Sequence, residues 1–145
     1  EVLSNSQVIS LYLPYSQSTH HIINRERLGR VQRGSILINT ARGGLVDTEA
    51  LLWALNEGIL GGVCLAVLEG EDIVNDEAQL LAQPREQDLI RYVRARALFA
   101  HEHVIFTPHI AFNTIEAVQR ILEVTVENIQ NYFGGHPSNV VQGIT

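Results

Sequence analysis

Four short apolar runs, each followed by polar or turn-forming residues, most strongly limit how this chain can fold. They are Val8–Leu13, Ser35–Thr40, Gly62–Leu68 and Val104–Thr107. Continuous apolar runs of this length are typical of strands that are buried on both faces. Most of the segments between them are long enough to form a helix, and an alternation of strand and helix is typical of a parallel sheet. The sequence therefore predicts an α/β fold with about four parallel strands.

Side chains that can cap a helix mark where two of the intervening helices begin. Asn24 can cap a short helix that continues to about Arg30. Asp47 can cap a second helix, and Gly58 is placed to end it. These signals predict helices on either side of the second strand.

The second half of the chain departs from this simple alternation. Residues 70–103 form a long insertion before the last strand, predicted as two helices around Pro84. Asn113 and Glu116 have the spacing of a capping box for a long helix that continues to Phe133. The residues predicted to face inward from the insertion are Leu80, Leu81, Leu89, Ile90 and Leu98. The apolar stripe of the long helix consists of Ile115, Val118, Leu122, Val126, Ile129 and Phe133.

Composition excludes several classes of function. A net charge of −6 argues against binding to nucleic acid or to an anionic membrane surface. All 10 basic residues are arginine, which excludes chemistry that depends on a lysine nucleophile. The single cysteine, Cys64, cannot form an internal disulfide, and a cytoplasmic location is expected. The chain starts without methionine, so we expect an excised or truncated piece of a longer protein.

Three polar residues follow the predicted strands, and together they suggest an active site. Arg42 follows the second strand, Glu71 the third and His109 the fourth. Ligands of open α/β sheets bind beyond the carboxyl ends of the strands. A guanidinium can hold a carboxylate through two parallel hydrogen bonds, and a histidine beside a carboxylate can transfer a proton near neutral pH. The alternatives are a surface arginine in an ordinary turn, a solvated glutamate and a structural histidine.

The segments around these residues resemble a known enzyme family. Residues 39–47 read Asn-Thr-Ala-Arg-Gly-Gly-Leu-Val-Asp, residues 68–71 read Leu-Glu-Gly-Glu, and residues 107–114 read Thr-Pro-His-Ile-Ala-Phe-Asn-Thr. They resemble signatures of the D-isomer-specific 2-hydroxyacid dehydrogenases, in the carboxyl-terminal half of the enzyme. The resemblance implies the second half of a doubly wound, Rossmann-like sheet followed by a long carboxyl-terminal helix. It divides the chain into a partial dinucleotide-binding domain, 1–112, and a helix with its tail, 113–145.

The resemblance also implies a reaction and a role for each residue. The parent enzyme would transfer a hydride between a nicotinamide coenzyme, NAD or NADP, and a small D-2-hydroxy acid. In that reaction Arg42 would hold the substrate carboxylate, His109 would move the proton, and Glu71 would support His109. The long insertion and the sequence Phe112-Asn113-Thr114 favour the lactate-type branch of the family over the phosphoglycerate branch. The residues expected to contact the coenzyme are Leu13, Pro14, Thr19, Thr40, Ala41, Ala66 and Ala111.

Some features of the family are missing from this chain. Ala66 stands where the family usually has an aspartate that holds the nicotinamide carboxamide, and Tyr12 stands where a histidine is more common. The chain also contains no G-x-G-x-x-G loop to bind the coenzyme pyrophosphate. We therefore expect weak or absent coenzyme binding and no turnover by this piece alone. The alternative is a non-catalytic relic, or a binding or regulatory module of the same fold.

The remaining predictions concern partners and metals. The apolar edge of the strand predicted at 8–13 and the stripe of the helix at 114–133 predict a homo-oligomer. His101 and His103 could lie on one face as metal ligands, but no third partner is expected nearby. His20 and His21 are interpreted as loop residues at the rim of the coenzyme site. No metal site is predicted.

Overall fold

The structure, a computed structural model, describes residues 2–71, 80, 82 and 85–141. The chain forms two compact units, Glu1–Pro108 and His109–Thr145. The domain division predicted from the sequence, 1–112 and 113–145, stays a prediction. Within the described residues, no helix is both long enough and apolar enough to cross a membrane.

The first unit is built on a sheet of four parallel strands. They are β1 (Val8–Leu11), β2 (Ser35–Asn39), β3 (Leu60–Leu65) and β4 (Val104–Phe106), and they lie side by side in chain order. Each strand pairs in parallel with the next, so the carboxyl ends of all four strands lie on the same side of the sheet. The predicted α/β fold with four parallel strands is confirmed.

The strand boundaries differ from the prediction where an apolar run continues beyond the sheet. β1 ends at Leu11, so the apolar Leu13 belongs to the following loop. β3 begins at Leu60 and ends at Leu65, which places Ala66 just after the strand and not within it. β2 and β4 each end one residue earlier than predicted, at Asn39 and Phe106. In the loop after β3 the apolar run continues because Val67 and Leu68 are buried without pairing in the sheet, whereas Leu13, after β1, is exposed.

Two of the helices in this unit begin at the predicted caps. In α1 (Arg25–Leu28) the Asn24 side chain accepts a hydrogen bond from the Arg27 N–H. The helix ends two residues earlier than predicted. In α2 (Thr48–Asn56) the Asp47 carboxylate accepts hydrogen bonds from the first turn of the helix. Gly58 follows the end of α2 with a φ of +61°, the left-handed conformation that suits glycine.

A third helix, α3 (Glu86–Phe99), lies in the predicted insertion and precedes β4. Its buried residues differ in part from those predicted. Leu80 and Leu98 are buried as predicted, and Ala95 is buried as well. Leu89 and Ile90, however, are 39% and 41% exposed. The predicted burial of these two residues was wrong. The buried residues of α3 lie in its last half, next to β4, whereas the side chains of its first turns are only partly shielded from solvent. Leu81 and Pro84 lie outside the described residues.

The core lies between the sheet and the helices packed against it. α2 packs against α1, α3 and β3, and α3 also packs against β4. An arginine on α3, Arg94, forms an ion pair with Glu49 on α2. The largest fully buried apolar side chains are Leu28, Leu37, Leu45, Leu51, Leu60, Val63 and Leu98.

The second unit consists mainly of the predicted long helix, α4 (Ile115–Phe133). Its cap is Thr114, whose hydroxyl accepts a hydrogen bond from the Ala117 N–H at 3.1 Å. The predicted capping box of Asn113 and Glu116 is therefore wrong: the cap is one residue later, at Thr114, and Ala117 has no side chain that could complete a box. None of the residues of α4 is buried, and its apolar stripe is exposed.

Candidate functional site

A cleft lies at the carboxyl ends of β1 and β2. It has a volume of about 600 Å³, and the loops that follow the two strands form its walls. Because the strands are parallel and adjacent, both loops begin at the carboxyl ends of the strands, which is where α/β folds bind ligands. The cleft is lined by Tyr12, Leu13, Pro14, Tyr15, Thr40, Ala41 and Arg42. Arg42 therefore shares one cleft with four of the residues expected to contact a coenzyme.

The loop that carries Arg42 is held by a buried side chain at the end of β2. The Asn39 amide donates a hydrogen bond to the Arg42 carbonyl at 2.9 Å and accepts one from the Ala41 N–H at 3.1 Å. Asn39 is only 1% exposed, so both hydrogen bonds are shielded from water. The Arg42 guanidinium is exposed and donates to the Ala41 carbonyl at 2.7 Å. A guanidinium has five N–H donors, so one such bond is compatible with binding an anion as well.

Gly43 and Gly44 are needed for packing against the protein itself. A Cβ atom at Gly43 would lie closer than 3.0 Å to the Leu68 carbonyl, in the loop after β3. A Cβ atom at Gly44 would lie 2.5 Å from the ring of Tyr15, in the loop after β1. The three loops therefore pack on one another at the Gly-Gly step. Because these two positions have no side chain, the loop that carries Arg42 can lie between its two neighbouring loops. The sequence around Arg42 does not reveal this reason for the two glycines.

The loop after β1 is held by Thr19, one of the residues expected to contact a coenzyme. Its hydroxyl donates to the Pro14 carbonyl at 2.9 Å and accepts a hydrogen bond from the Ser16 N–H at 2.7 Å. Thr19 therefore shapes the segment that contributes Leu13 and Pro14 to the cleft. It does not itself line the cleft.

The loop after β3 contains three residues of interest. Ala66 is half-buried, and its N–H donates to the Asn39 carbonyl at 3.0 Å, which continues the pairing of β2 with β3 by one bond. Glu69 forms an ion pair with His21 at 3.0 Å between the carboxylate oxygen and Nε2. Glu71 is half-buried and lies two residues further on. Neither Ala66 nor Glu71 lines the cleft beside Arg42.

The other two predicted site residues, His109 and Ala111, belong to the second unit. Both are exposed, and His109 is the first residue of that unit. The structure thus brings Arg42 together with Leu13, Pro14, Thr40 and Ala41 around one cleft. The roles of Arg42, Glu71 and His109 in catalysis stay predictions.

One group of residues was missed by the sequence analysis. His20, His21 and Glu69 form a cluster in which one ligand atom from each residue lies within 4.8 Å of the others. The two histidines were interpreted only as loop residues. The adjacent pair was a visible signal, but the carboxylate 48 positions away in sequence was not.

Comparisons with known proteins agree with this architecture. Residues 1–111 match the model of the family described as "D-isomer specific 2-hydroxyacid dehydrogenase, NAD binding domain". The chain is 37% identical to 2-hydroxyacid dehydrogenase A of Aspergillus oryzae, over 91% of the chain and 36% of that protein. It is also 37% identical to a D-specific alpha-keto acid dehydrogenase of Enterococcus faecalis, over 91% of the chain and 39% of that protein.

A solved structure extends the comparison to three dimensions. The D-lactate dehydrogenase of Aquifex aeolicus, crystallised with NAD and lactic acid, superimposes with a TM-score of 0.80 at 39% identity. The alignment covers 92% of this chain and 39% of that one. The chain therefore spans about two-fifths of the length of the relatives that it matches.

Proposed function

The chain belongs to the D-isomer-specific 2-hydroxyacid dehydrogenase family through its NAD-binding domain, and from this premise we propose that it is part of an oxidoreductase. The parent protein would transfer a hydride between a nicotinamide coenzyme and a small D-2-hydroxy acid. The observation that carries the proposal is the position of Arg42 in a cleft at the carboxyl ends of β1 and β2. A lean toward D-lactate or a similar acid is supported by relatives described as D-lactate dehydrogenases.

The lining of the cleft fits the nicotinamide end of the coenzyme. Leu13, Pro14 and Ala41 supply apolar surface for a flat ring, while Thr40 and Arg42 supply polar atoms. Its volume of about 600 Å³ is within the usual range for a small-molecule site. NAD, when bound, would accept or supply the hydride. Ala66 and Ala111 are proposed as further contacts, with Ala66 unable to replace a carboxylate as a hydrogen-bond acceptor for the carboxamide.

The proposed mechanism divides the work among three side chains. Arg42 grips the substrate carboxylate, since an exposed guanidinium can form two parallel charge-assisted hydrogen bonds with it. His109 takes the hydroxyl proton during oxidation and returns it during reduction, because a neutral imidazole can accept a proton and an imidazolium can return it. Glu71 supports the protonated form of His109 by its negative charge in the assembled site.

We propose in addition that this chain alone has no turnover. Hydride transfer requires both reactants to be held in place, and the chain lacks the glycine loop that would bind the coenzyme pyrophosphate. An assay of the purified chain with NADH and several 2-oxo acids should give no rate above the background. A rate that disappears in His109→Ala would contradict this proposal.

A second candidate function is a non-catalytic binding module of the same fold. The observation in its favour is Ala66, which stands half-buried beside Asn39 with no side-chain acceptor. A replacement of Ala66 by Asp in the full-length protein separates the two candidates. Tighter coenzyme binding or faster turnover in Ala66→Asp would support an enzyme with a weakened coenzyme grip. Equal coenzyme dissociation constants and turnover would show that Ala66 does not limit the site.

The substitution Arg42→Gln in the full-length protein that carries this chain tests the central role. Loss of a bidentate charge-assisted contact should cost about 2–3 kcal/mol in transition-state binding, or roughly 30- to 150-fold in kcat/KM. The matched control is Arg30→Gln, because Arg30 is also exposed but lies before β2, and its partner is Glu26 on α1. Equal kcat/KM values for Arg42→Gln and the unmodified protein would remove Arg42 from the substrate site.

A further inference from the structure

His20, His21 and Glu69 form a cluster with the composition of a metal site. One nitrogen of each imidazole and one carboxylate oxygen lie within 4.8 Å of one another. It is the one group of three potential metal ligands found within residues 2–71, 80, 82 and 85–141. The two histidines belong to the loop after β1, and Glu69 belongs to the loop after β3. The cluster therefore links two loops on either side of the segment that carries Arg42.

His21 is held in place by the backbone. Its φ is +48°, an uncommon conformation for a residue with a side chain. The conformation is supported because the His21 N–H donates to the Gly44 carbonyl at 2.8 Å, and the imidazole Nε2 contacts the Glu69 carboxylate at 3.0 Å. Two of the three potential ligands are thus already in contact, both half-buried.

His20 contacts a neighbouring tyrosine. The Tyr15 hydroxyl lies 3.2 Å from His20 Nδ1, and the Tyr15 ring packs where Gly44 has no side chain. In the tautomer in which Nδ1–H donates to the tyrosine oxygen, Nε2 carries the lone pair and can bind a metal.

We propose that His20, His21 and Glu69 bind a divalent transition-metal ion, with Zn²⁺ the best match. Two imidazoles and one carboxylate are a common ligand set for Zn²⁺, with a fourth position open to water. The ligand atoms must lie about 2.0–2.2 Å from the ion, so His20 has to approach the pair formed by His21 and Glu69. The proton on the nitrogen of His21 that binds the ion is released or moves to the other ring nitrogen. The rings of His20 and His21 are stacked at 3.8 Å between centroids, and the exposed His20 ring must turn out of this stack to direct its lone pair at the ion.

A bound ion would brace the loops around the cleft. The loop after β1 supplies part of the cleft lining, and the loop after β3 packs on Gly43 beside Arg42. An ion that joins His20 and His21 to Glu69 connects these loops directly, and it stabilises the folded state because the unfolded chain does not hold the three ligands together.

The test is a titration of the purified, tag-free chain with ZnCl₂ after treatment with a chelator. Calorimetry should give one ion per chain, and the melting temperature should rise with Zn²⁺ concentration. His20→Ala and Glu69→Gln should each weaken binding by about tenfold or more, a loss of at least about 1.4 kcal/mol. His20 is exposed and Gln at position 69 can still hydrogen-bond to His21, so both variants should fold, which circular dichroism can verify.

The matched control is the double variant His101→Ala/His103→Ala. These histidines have rings 5.7 Å apart and flank Glu102, just before β4, at the opposite end of the strands from the cluster. The control therefore removes one imidazole more than His20→Ala does. It should keep the affinity of the unmodified chain. Absence of stoichiometric binding to the unmodified chain would overturn the proposal. So would an equal loss of affinity in the control and in His20→Ala. Neither result depends on the dehydrogenase activity.

Discussion

The helices α2 and α4 differ in the use they make of similar sequence patterns. Each begins at a side-chain cap and carries apolar residues at helical spacing. α2 buries five of its residues, including Leu51, Ala54 and Leu55, against the core of the first unit. α4 buries none, and Leu122 is 60% exposed. Periodicity thus defines which face of a helix is apolar, whereas burial depends on the surfaces that the rest of the fold provides.

The largest expected effect compares one leucine from each helix. Leu51→Ala should destabilise the first unit by about 2–5 kcal/mol, because a 1% exposed side chain is removed from a packed core. Leu122→Ala should change the free energy of unfolding of the monomer by no more than about 0.5 kcal/mol, when it is measured at a protein concentration low enough to dissociate the predicted oligomer. Urea unfolding followed by circular dichroism and by Trp53 fluorescence measures both. Equal losses would mean that α4 packs against an apolar surface in solution as tightly as α2 does.

A second comparison contrasts two glycines within the first unit. Gly43→Ala should destabilise it by on the order of 3 kcal/mol, because the new methyl group would overlap the Leu68 backbone, which cannot move without displacing the loop after β3. Gly62→Ala is the control, since its Cβ would meet the nearest atom, the His103 carbonyl oxygen, at an ordinary 3.6 Å. If denaturant midpoints fall equally in both variants, the packing of the Arg42 loop on the loop after β3 is not what requires Gly43.

The third prediction concerns association of the chain, and its variants should have the smallest effect on the stability of the fold. The homo-oligomer predicted from the sequence stays a prediction, with the β1 edge of the sheet and the α4 stripe as the proposed surfaces. Leu122→Glu combined with Ile129→Glu should lower the mass measured by sedimentation toward 16.1 kDa while the helix content is kept. Glu123→Gln is a control on the same helix. An unmodified chain that sediments as a stable 16.1 kDa monomer would contradict the prediction.

Local hydrogen bonding explains why much of the fold could be predicted. The caps at Asn24 and Asp47 depend only on the first turn of each helix, so a short sequence window contains all of the interacting groups. The cap of α4 lies one residue later than predicted. Asn113 and Thr114 are adjacent, and the side chain of either residue can cap a helix. The ends of β1 and β3 were misplaced because apolar residues in their following loops are indistinguishable in sequence from strand residues.

By itself the sequence determined the four parallel strands, the long helix that ends at Phe133, and the position of Arg42 in the loop after the second strand. These follow from periodicity, capping and chain order, which are local properties. Only the tertiary structure decided why Gly43 and Gly44 follow Arg42, which leucines of α3 are buried, and that Glu69 meets His21. Each of these depends on atoms far apart in the chain that the pairing of parallel strands brings together, and a sequence window contains only one side of each contact.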